Sequence, residues 1–388
     1  MEKGKQNAAV LGIGTSVPEY CLDQDAISQQ LAEALSNDPH SARWAKKIFK
    51  QCGVKNRYTC EPDLLKSARD CRYVSPEFRR IPSTGERMET YKRHSVPLSL
   101  QAAERSLRES GLRPSDITHL ITVSCTGLYL PGLDIVLIRE LGLPPNVRRI
   151  PLNFLGCAAG LTAVRMAGEI ADHDPSAKVL IVSVELCTLH IQPSTDRDTL
   201  FAAAFFGDGA ASCVVGVPSS GYRGAFVLGL RRSAVFPGCE EEMVWDVGNF
   251  GFHLYLSPNI PKLLRAFLPA EMEKLTDGGP LPELWAIHPG GRGIVDALQN
   301  AYGLTDEQTR ASRSVLWRFG NMSSATIFFV LQEMRNELLG ATGKPKEGIA
   351  LAFGPGLHAE MIRFTYFPSW IADQASAQSQ YPEVARTF

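Results

Sequence analysis

Short runs of Val, Ile and Leu recur at 119–124, 149–153, 178–185, 211–217, 225–230, 284–288 and 348–353, each bounded by Gly, Pro or Asp. Their length and β-branched content predict strands, and the scarcity of polar alternation predicts burial on both faces. Helical spacing fills the intervals. Asp23 is placed to cap a helix reaching Leu35, and Pro97 suits the first turn of a helix running to Leu107 and stopping near Gly111. Further helices are predicted over 158–171 and 323–339. Alternation of strand and helix predicts an α/β fold. Residues 59–93 are polar, Arg-rich and broken by Pro62, Pro76 and Pro82, and read as irregular or partly helical surface.

A chain of 388 residues accommodates two compact domains or one duplicated unit. A weak boundary at Pro218-Ser219-Ser220-Gly221 divides it into halves, 1–220 and 221–388, and the tail from Ala372 reads as frayed. Hydrophobic residues at 44% and charged residues at 21% are ordinary globular usage, which excludes a disordered, collagen-like or coiled-coil chain. Lys plus Arg number 40 and Asp plus Glu 41, a net charge of −1, so no global field draws nucleic acid or an anionic membrane. No apolar run is long enough to predict a membrane span. The polar start at Met1-Glu2-Lys3 lacks the apolar core of a signal peptide, and none of the nine cysteines forms a C-x-x-C pair. These features predict a cytoplasmic protein with reduced thiols and no metal site.

Three residues could carry chemistry. Cys157, in Gly156-Cys157-Ala158-Ala159-Gly160, sits between a predicted strand and a helix of small residues. A helix N-terminus lowers a thiol pKa, so Cys157 reads as a nucleophile, or else as a cysteine packing a Gly/Ala-rich helix crossing. His288, in His288-Pro289-Gly290-Gly291, ends a strand where α/β proteins open their crevices. Asn321, in Gly320-Asn321-Met322-Ser323-Ser324-Ala325, reads as a helix cap unless it has company. A Cys-His-Asn set suits carbon–carbon bond formation from thioesters, since imidazole and amide are donors for a developing oxyanion. It suits papain-like proteolysis equally. Phe353-Gly354-Pro355-Gly356 brings backbone near a cavity, or is an ordinary turn.

In this order, and with Phe205-Phe206-Gly207-Asp208-Gly209-Ala210-Ala211 between them, these motifs resemble type III polyketide synthases, the chalcone synthase-like branch of the thiolase superfamily. The resemblance runs from about Ala8 to Phe364 and points to a microbial member. It implies a thiolase-like duplicated αβαβα fold, with the nucleophile Cys157 in the first half and His288 and Asn321 in the second. It implies a homodimer, malonyl-CoA and an acyl-CoA starter as substrates, and no bound cofactor or metal. Cys157 would carry the acyl chain, His288 would pair with its thiolate, and His288 with Asn321 would promote malonyl decarboxylation. Phe206 and Phe252 match the gatekeeper phenylalanines. Cys125 and Thr126 replace a plant threonine-serine pair in the cavity, Ser323, Gly354 and Pro355 also face substrate, and Leu130 stands where the family reaches across its dimer interface. Lys47, Lys50 and Lys55, with Gly290 and Gly291, would hold CoA. Met243 matches a plant glycine. Leu128, Tyr129, Leu130, Leu133 and Ile135 are expected around the cavity, favouring a starter with an alkyl tail and an alkylpyrone or alkylresorcinol product. The competing readings are a single-extension ketoacyl synthase, a malonyl-primed naphthalene or phloroglucinol synthase, a cysteine hydrolase and a non-catalytic scaffold.

Overall fold

The computed structural model describes residues 7–75, 81–219, 222–339 and 344–368. The chain opens with β1 (Ala9–Ser16) and β2 (Tyr20–Asp23). Asp23 accepts from the backbone N–H groups of Asp25 and Ala26 and starts α1 (Gln24–Ala34), the helix predicted there. Asp38 repeats the device for α2 (Pro39–Gln51), and β3 (Asn56–Thr59) pairs back on β2.

The next helix corrects the sequence reading. α3 (Thr84–Ser110) starts well before Pro97, at a capping box in which Ser83 and Glu86 satisfy each other's backbone N–H groups. Residues 84–93 therefore supply the α-helical part of the 59–93 stretch. Pro97 lies inside the helix on its exposed side, so the carbonyl whose partner it removes faces water.

There follow β4 (His119–Ser124), α4 (Leu133–Leu141), β5 (Arg148–Asn153), α5 (Ala159–His173), β6 (Lys178–Leu186), α6 (Arg197–Phe205) and β7 (Asp208–Gly216). The second half carries β8 (Ala225–Val235), β9 (Met243–Gly248), β10 (Gly251–Leu256), α7 (Ile260–Thr276) and β11 (Leu284–Ile287). It ends with α8 (Arg292–Tyr302), α9 (Asp306–Phe319), α10 (Thr326–Leu338), β12 (Lys346–Gly354) and β13 (His358–Phe367). The predicted boundary lies partly, and the tail from Ala372 wholly, outside the described residues.

Nine strands form one mixed sheet in the order β11-β12-β13-β8-β1-β7-β6-β4-β5, and β9 and β10 form a separate hairpin. Alternation along the strands defines the layers. On β6, Val179 and Ile181 face α5 and α10, while Leu180, Val182 and Val184 face α3 and α4. On β12, Ala350 and Ala352 face the same central helices, while Ile349, Leu351 and Phe353 face α7 and α8. The sheet thus wraps α5 and α10 on two sides, with helices outside it, in αβαβα layers. The first turns of both central helices are buried on every side, and their charged residues gather in the later turns, where the helices reach the surface.

Glycine sets how closely they approach. A Cβ on Gly160, in the first turn of α5, would lie 2.3 Å from the carbonyl oxygen of Ser324 and 3.0 Å from Cγ2 of Ile327. The two helix starts therefore touch backbone to backbone, which joins the Cys157 turn to the Asn321 loop. Gly160→Ala is expected to lower the urea unfolding midpoint by the equivalent of about 2 kcal/mol, the usual cost of overpacking. Gly293→Ala, inside α8, where an added carbon meets only Pro261 Cγ at 3.7 Å, is the control and is expected not to lower it. Equal midpoints for the two variants would show that this approach is not tight.

Candidate active site

Cys157 lies on a single turn of 3-10 helix, Gly156–Ala158, that leads into α5. Gly156 has φ 66°, and a Cβ there would fall 2.1 Å from Cδ of Pro355. Only glycine lets the Pro355 loop close against the nucleophile turn. Phe154 (φ 58°), Ser323 (φ 46°) and Leu357 (φ 41°) hold the same left-handed conformation without being glycine. All three flank loops that converge here, which is where strained backbone concentrates at functional sites.

Asn321 is fixed through both its backbone and its side-chain oxygen. Its backbone N–H donates to the carbonyl of Phe205 at 2.7 Å, and its carbonyl accepts from Gly207 at 3.0 Å. Its Oδ1 accepts from the N–H of Ser323 at 2.8 Å and from Thr326 Oγ1 at 3.3 Å. Those bonds fix which way the amide faces. Nδ2 is then turned toward Cys157 Sγ, 3.9 Å away, and donates to the Gly290 carbonyl at 3.2 Å. His288 follows β11 directly, its N–H donating to Leu351 at 2.8 Å. Its ring is buried, and neither nitrogen has a hydrogen-bond partner among the described residues.

All three residues line one cavity of about 610 Å³. Phe206, Cys125, Thr126, Ser323, Pro355, Gly290, Gly291 and Met243 line it too. Other residues predicted for the site lie elsewhere. Gly354 stands behind the wall, where a Cβ would meet the Leu155 carbonyl oxygen at 2.9 Å. Phe252 is buried behind Trp245 and stacked on His190, with ring centroids 4.1 Å apart. Lys55 is held by Asp23 at 3.0 Å and Asp25 at 2.9 Å. Lys47 and Lys50 are exposed on α2 and line no part of the cavity; Lys50 borders a shallow groove against α1. Leu130 is 92% exposed. With Leu128, Tyr129, Leu133 and Ile135 it lines a separate hollow of about 480 Å³, so this apolar set does not surround the nucleophile.

Family models describing the N-terminal and C-terminal domains of chalcone and stilbene synthases match residues 1–219 and 230–366. The chain belongs to this family. It is 33% identical to type III polyketide synthase 21 of Oryza sativa subsp. japonica, over 91% of this chain and 92% of that one. It is 31% identical to the alpha-pyrone synthesis polyketide synthase-like Pks18 of Mycobacterium tuberculosis, over 92% and 91%. It is 32% identical to probable polyketide synthase 1 of Dictyostelium discoideum over 92% of its own length, but spans only 11% of that protein. Among solved structures it resembles PKS-I of the brown alga Ectocarpus siliculosus, with TM-score 0.86 and 27% identity over 95% of this chain and 100% of that one. It also resembles 1,3,6,8-tetrahydroxynaphthalene synthase of Streptomyces coelicolor A3(2), with TM-score 0.82 and 28% identity over 92% and 99%.

In this type III polyketide synthase several site residues escape sequence reasoning. Glu185 ends the apolar strand β6, fully buried beside Cys125. It accepts from Thr126 Oγ1 at 2.6 Å, from the Cys125 N–H at 3.0 Å and from Ser324 Oγ. Burial holds its carboxyl above the usual range, against the pull of these donors. A carboxylate at the end of a near-continuous apolar run was the signal available. Cys125 Sγ lies 3.3 Å from Glu185 and 3.1 Å from Ser323 Oγ, and burial with that neighbouring charge pushes its thiol well up. Cys125 Sγ therefore faces Glu185 as a hydrogen-bond donor. At the exposed mouth the lining cations are Arg197 and Arg292, not lysines. Arg197 stands over the Trp44 ring at 5.5 Å, and Arg292 reaches Asp296 at 3.2 Å.

Electrostatics also depart from expectation. Burial pushes the Cys157 thiol up to about 11, outweighing the hydrogen bonds from Ser323 and Asn321. Burial pushes the His288 imidazole down to about 3. Both shifts favour the neutral thiol and the neutral imidazole near neutral pH. The rate of Cys157 alkylation by iodoacetamide is therefore expected to climb continuously from about pH 6 to about pH 9. A rate that levels off below about pH 7 would mean that the thiolate exists at rest.

Proposed function

We propose that the enzyme loads an acyl-CoA starter on Cys157, extends it by repeated decarboxylative Claisen condensation with malonyl-CoA, and cyclises the chain to an alkylpyrone or alkylresorcinol. The observation that carries this reading is the Asn321 amide aimed at Cys157 Sγ in a cavity that also holds the unpartnered ring of His288. As Sγ attacks the thioester carbonyl, His288 takes the thiol proton and returns it to the departing CoA sulfur. Malonyl-CoA then loses CO₂. Its enolate oxygen accepts from Asn321 Nδ2–H and from the N–H of a neutral His288, which polarises without surrendering its proton. The enolate carbon attacks the Cys157 thioester carbonyl and expels the Cys157 thiolate, leaving the lengthened β-ketoacyl chain on CoA. The thiolate then attacks that new thioester, and CoA leaves as the chain returns to sulfur.

Phe201, Phe205, Phe206, Leu254, Leu256 and Ile260 make the lining apolar, which suits an alkyl starter and excludes water from the enolate. Arg197 and Arg292, with Gln51 beside them, are suited to CoA phosphates at the mouth, and Lys47 lies next to the lining residue Ile48 on α2. We read 1–220 and 221–388 as copies of one unit, because each sends a 3-10 turn into a central helix at the site: Gly156–Ala158 into α5 and Ser323–Ala325 into α10. A homodimer is favoured by exposed apolar side chains: Leu128 (51%) and Leu130 (92%) on the loop after β4, Ile135 (42%) on α4, and Phe154 and Leu155 after β5.

With malonyl-CoA and a panel of acyl-CoAs, mass spectrometry is expected to show products of more than one extension. Carrier-dependent single extension would point to a ketoacyl synthase, and products from malonyl-CoA alone to malonyl priming. Asn321→Ala is expected to slow malonyl decarboxylation at least about a hundredfold while leaving Cys157 acylation by starter nearly intact. Equal loss of both steps would remove Asn321 from the enolate. Leu130→Asp is expected to shift the protein toward monomer in light scattering; an unchanged mass would place the interface elsewhere.

A further inference from the structure

We infer that Trp245 ends the catalytic cavity and sets the longest acyl chain the enzyme elongates, an inference that rests on the function proposed above. In the β9–β10 hairpin, Met243 stands opposite Leu256, Trp245 opposite Leu254 and Val247 opposite Phe252. Side chains alternate along a strand, so these pairs share one face. The first two pairs line the cavity, and the third does not. The indole marks the change. It meets the Phe252 ring edge-on, with centroids 5.8 Å apart at 90°, and so stands between Phe252 and the space in front of Cys157.

Trp245 is held in place from two sides. Its Nε1–H donates to the carbonyl of Cys125 at 2.8 Å, tying the hairpin to the lining segment after β4. Behind it, His190 donates from Nε2 to the Thr126 carbonyl at 2.7 Å and accepts at Nδ1 from the N–H of Phe252 at 3.0 Å. One nitrogen gives and the other accepts, so His190 is a single neutral tautomer with no freedom to flip. Its ring lies edge-on to Trp245, with centroids 5.6 Å apart. The indole cannot swing aside without abandoning a hydrogen bond in an apolar wall.

Behind Trp245 the packing is apolar: Phe252 is buried, and its ring lies 5.6 Å from that of Phe154. Removing the indole would add its volume to the cavity and make the Phe252 ring the new wall. A chain thioesterified on Cys157 that stops against Trp245 would then extend as far as Phe252.

The test uses wild type and the graded series Trp245→Phe, Trp245→Leu and Trp245→Ala. Each receives malonyl-CoA and straight-chain acyl-CoAs from acetyl to palmitoyl. Products are identified by mass spectrometry, and Cys157 acylation by each starter alone is read from intact protein mass. Wild type is expected to stop at a definite chain length. The variants are expected to move that limit upward in the order of volume removed. For the first starter rejected by wild type, the smallest folded variant is expected to gain at least about tenfold in kcat/KM, the discrimination one methylene gives in a tight apolar pocket. An identical limit throughout the series, with every variant acylated on Cys157, overturns the inference and leaves the proposed function standing. Absence of any extended product from wild type overturns the proposed function and the inference together.

Discussion

Everything catalytic in this fold depends on the backbone contact between the starts of α5 and α10. Gly160 admits the carbonyl of Ser324 where any side chain would collide. Because each helix is preceded by a short turn carrying chemistry, joining the helix starts also joins Cys157 to Asn321. The second constraint is Gly156 against Pro355, which closes the Phe353–Leu357 loop over the same turn. Such packing is intolerant of volume, and the left-handed residues around it are the local cost.

Burial at that junction decides the chemistry. A thiol at a helix start would ordinarily ionise more easily, yet desolvation outweighs the dipole and the hydrogen bonds around Cys157. The same desolvation favours the neutral form of His288, the form that the proposed donation to an enolate oxygen calls for. Glu185 lies close by, but its oxygens are engaged by Thr126, Cys125 and Ser324, so its charge is shared with fixed donors. The site is therefore a pocket of neutral donors beside one well-satisfied carboxyl group.

Two hollows share the segment after β4. Cys125 and Thr126 line the catalytic one, and Gly127 with Leu128 line the other. The inner side bounds the catalytic cavity, together with the β9–β10 hairpin. The outer side exposes Leu128, Leu130 and Ile135, a cluster of apolar side chains.

The sequence alone determined the local elements whose signals are local. Asp23 caps α1, the apolar runs become β4, β6, β7 and β12, and glycines bracket Cys157 as a close approach demands. It also supplied the ordered motifs, because a strand end, a turn and a helix start each leave a short signature. It misplaced the start of α3, where composition obscured the Ser83–Glu86 capping box. Tertiary structure decided what depends on residues far apart in the chain. Burial of Cys157 and His288 comes from both halves at once, so no window of sequence holds their ionisation. Lys55 turns to Asp23 and Asp25 because β3 pairs with β2. Leu130 faces away from the nucleophile, and Trp245 takes the cavity position expected of Phe252. Which side of a wall a side chain occupies is fixed by register and packing between elements, and one sequence carries no record of either.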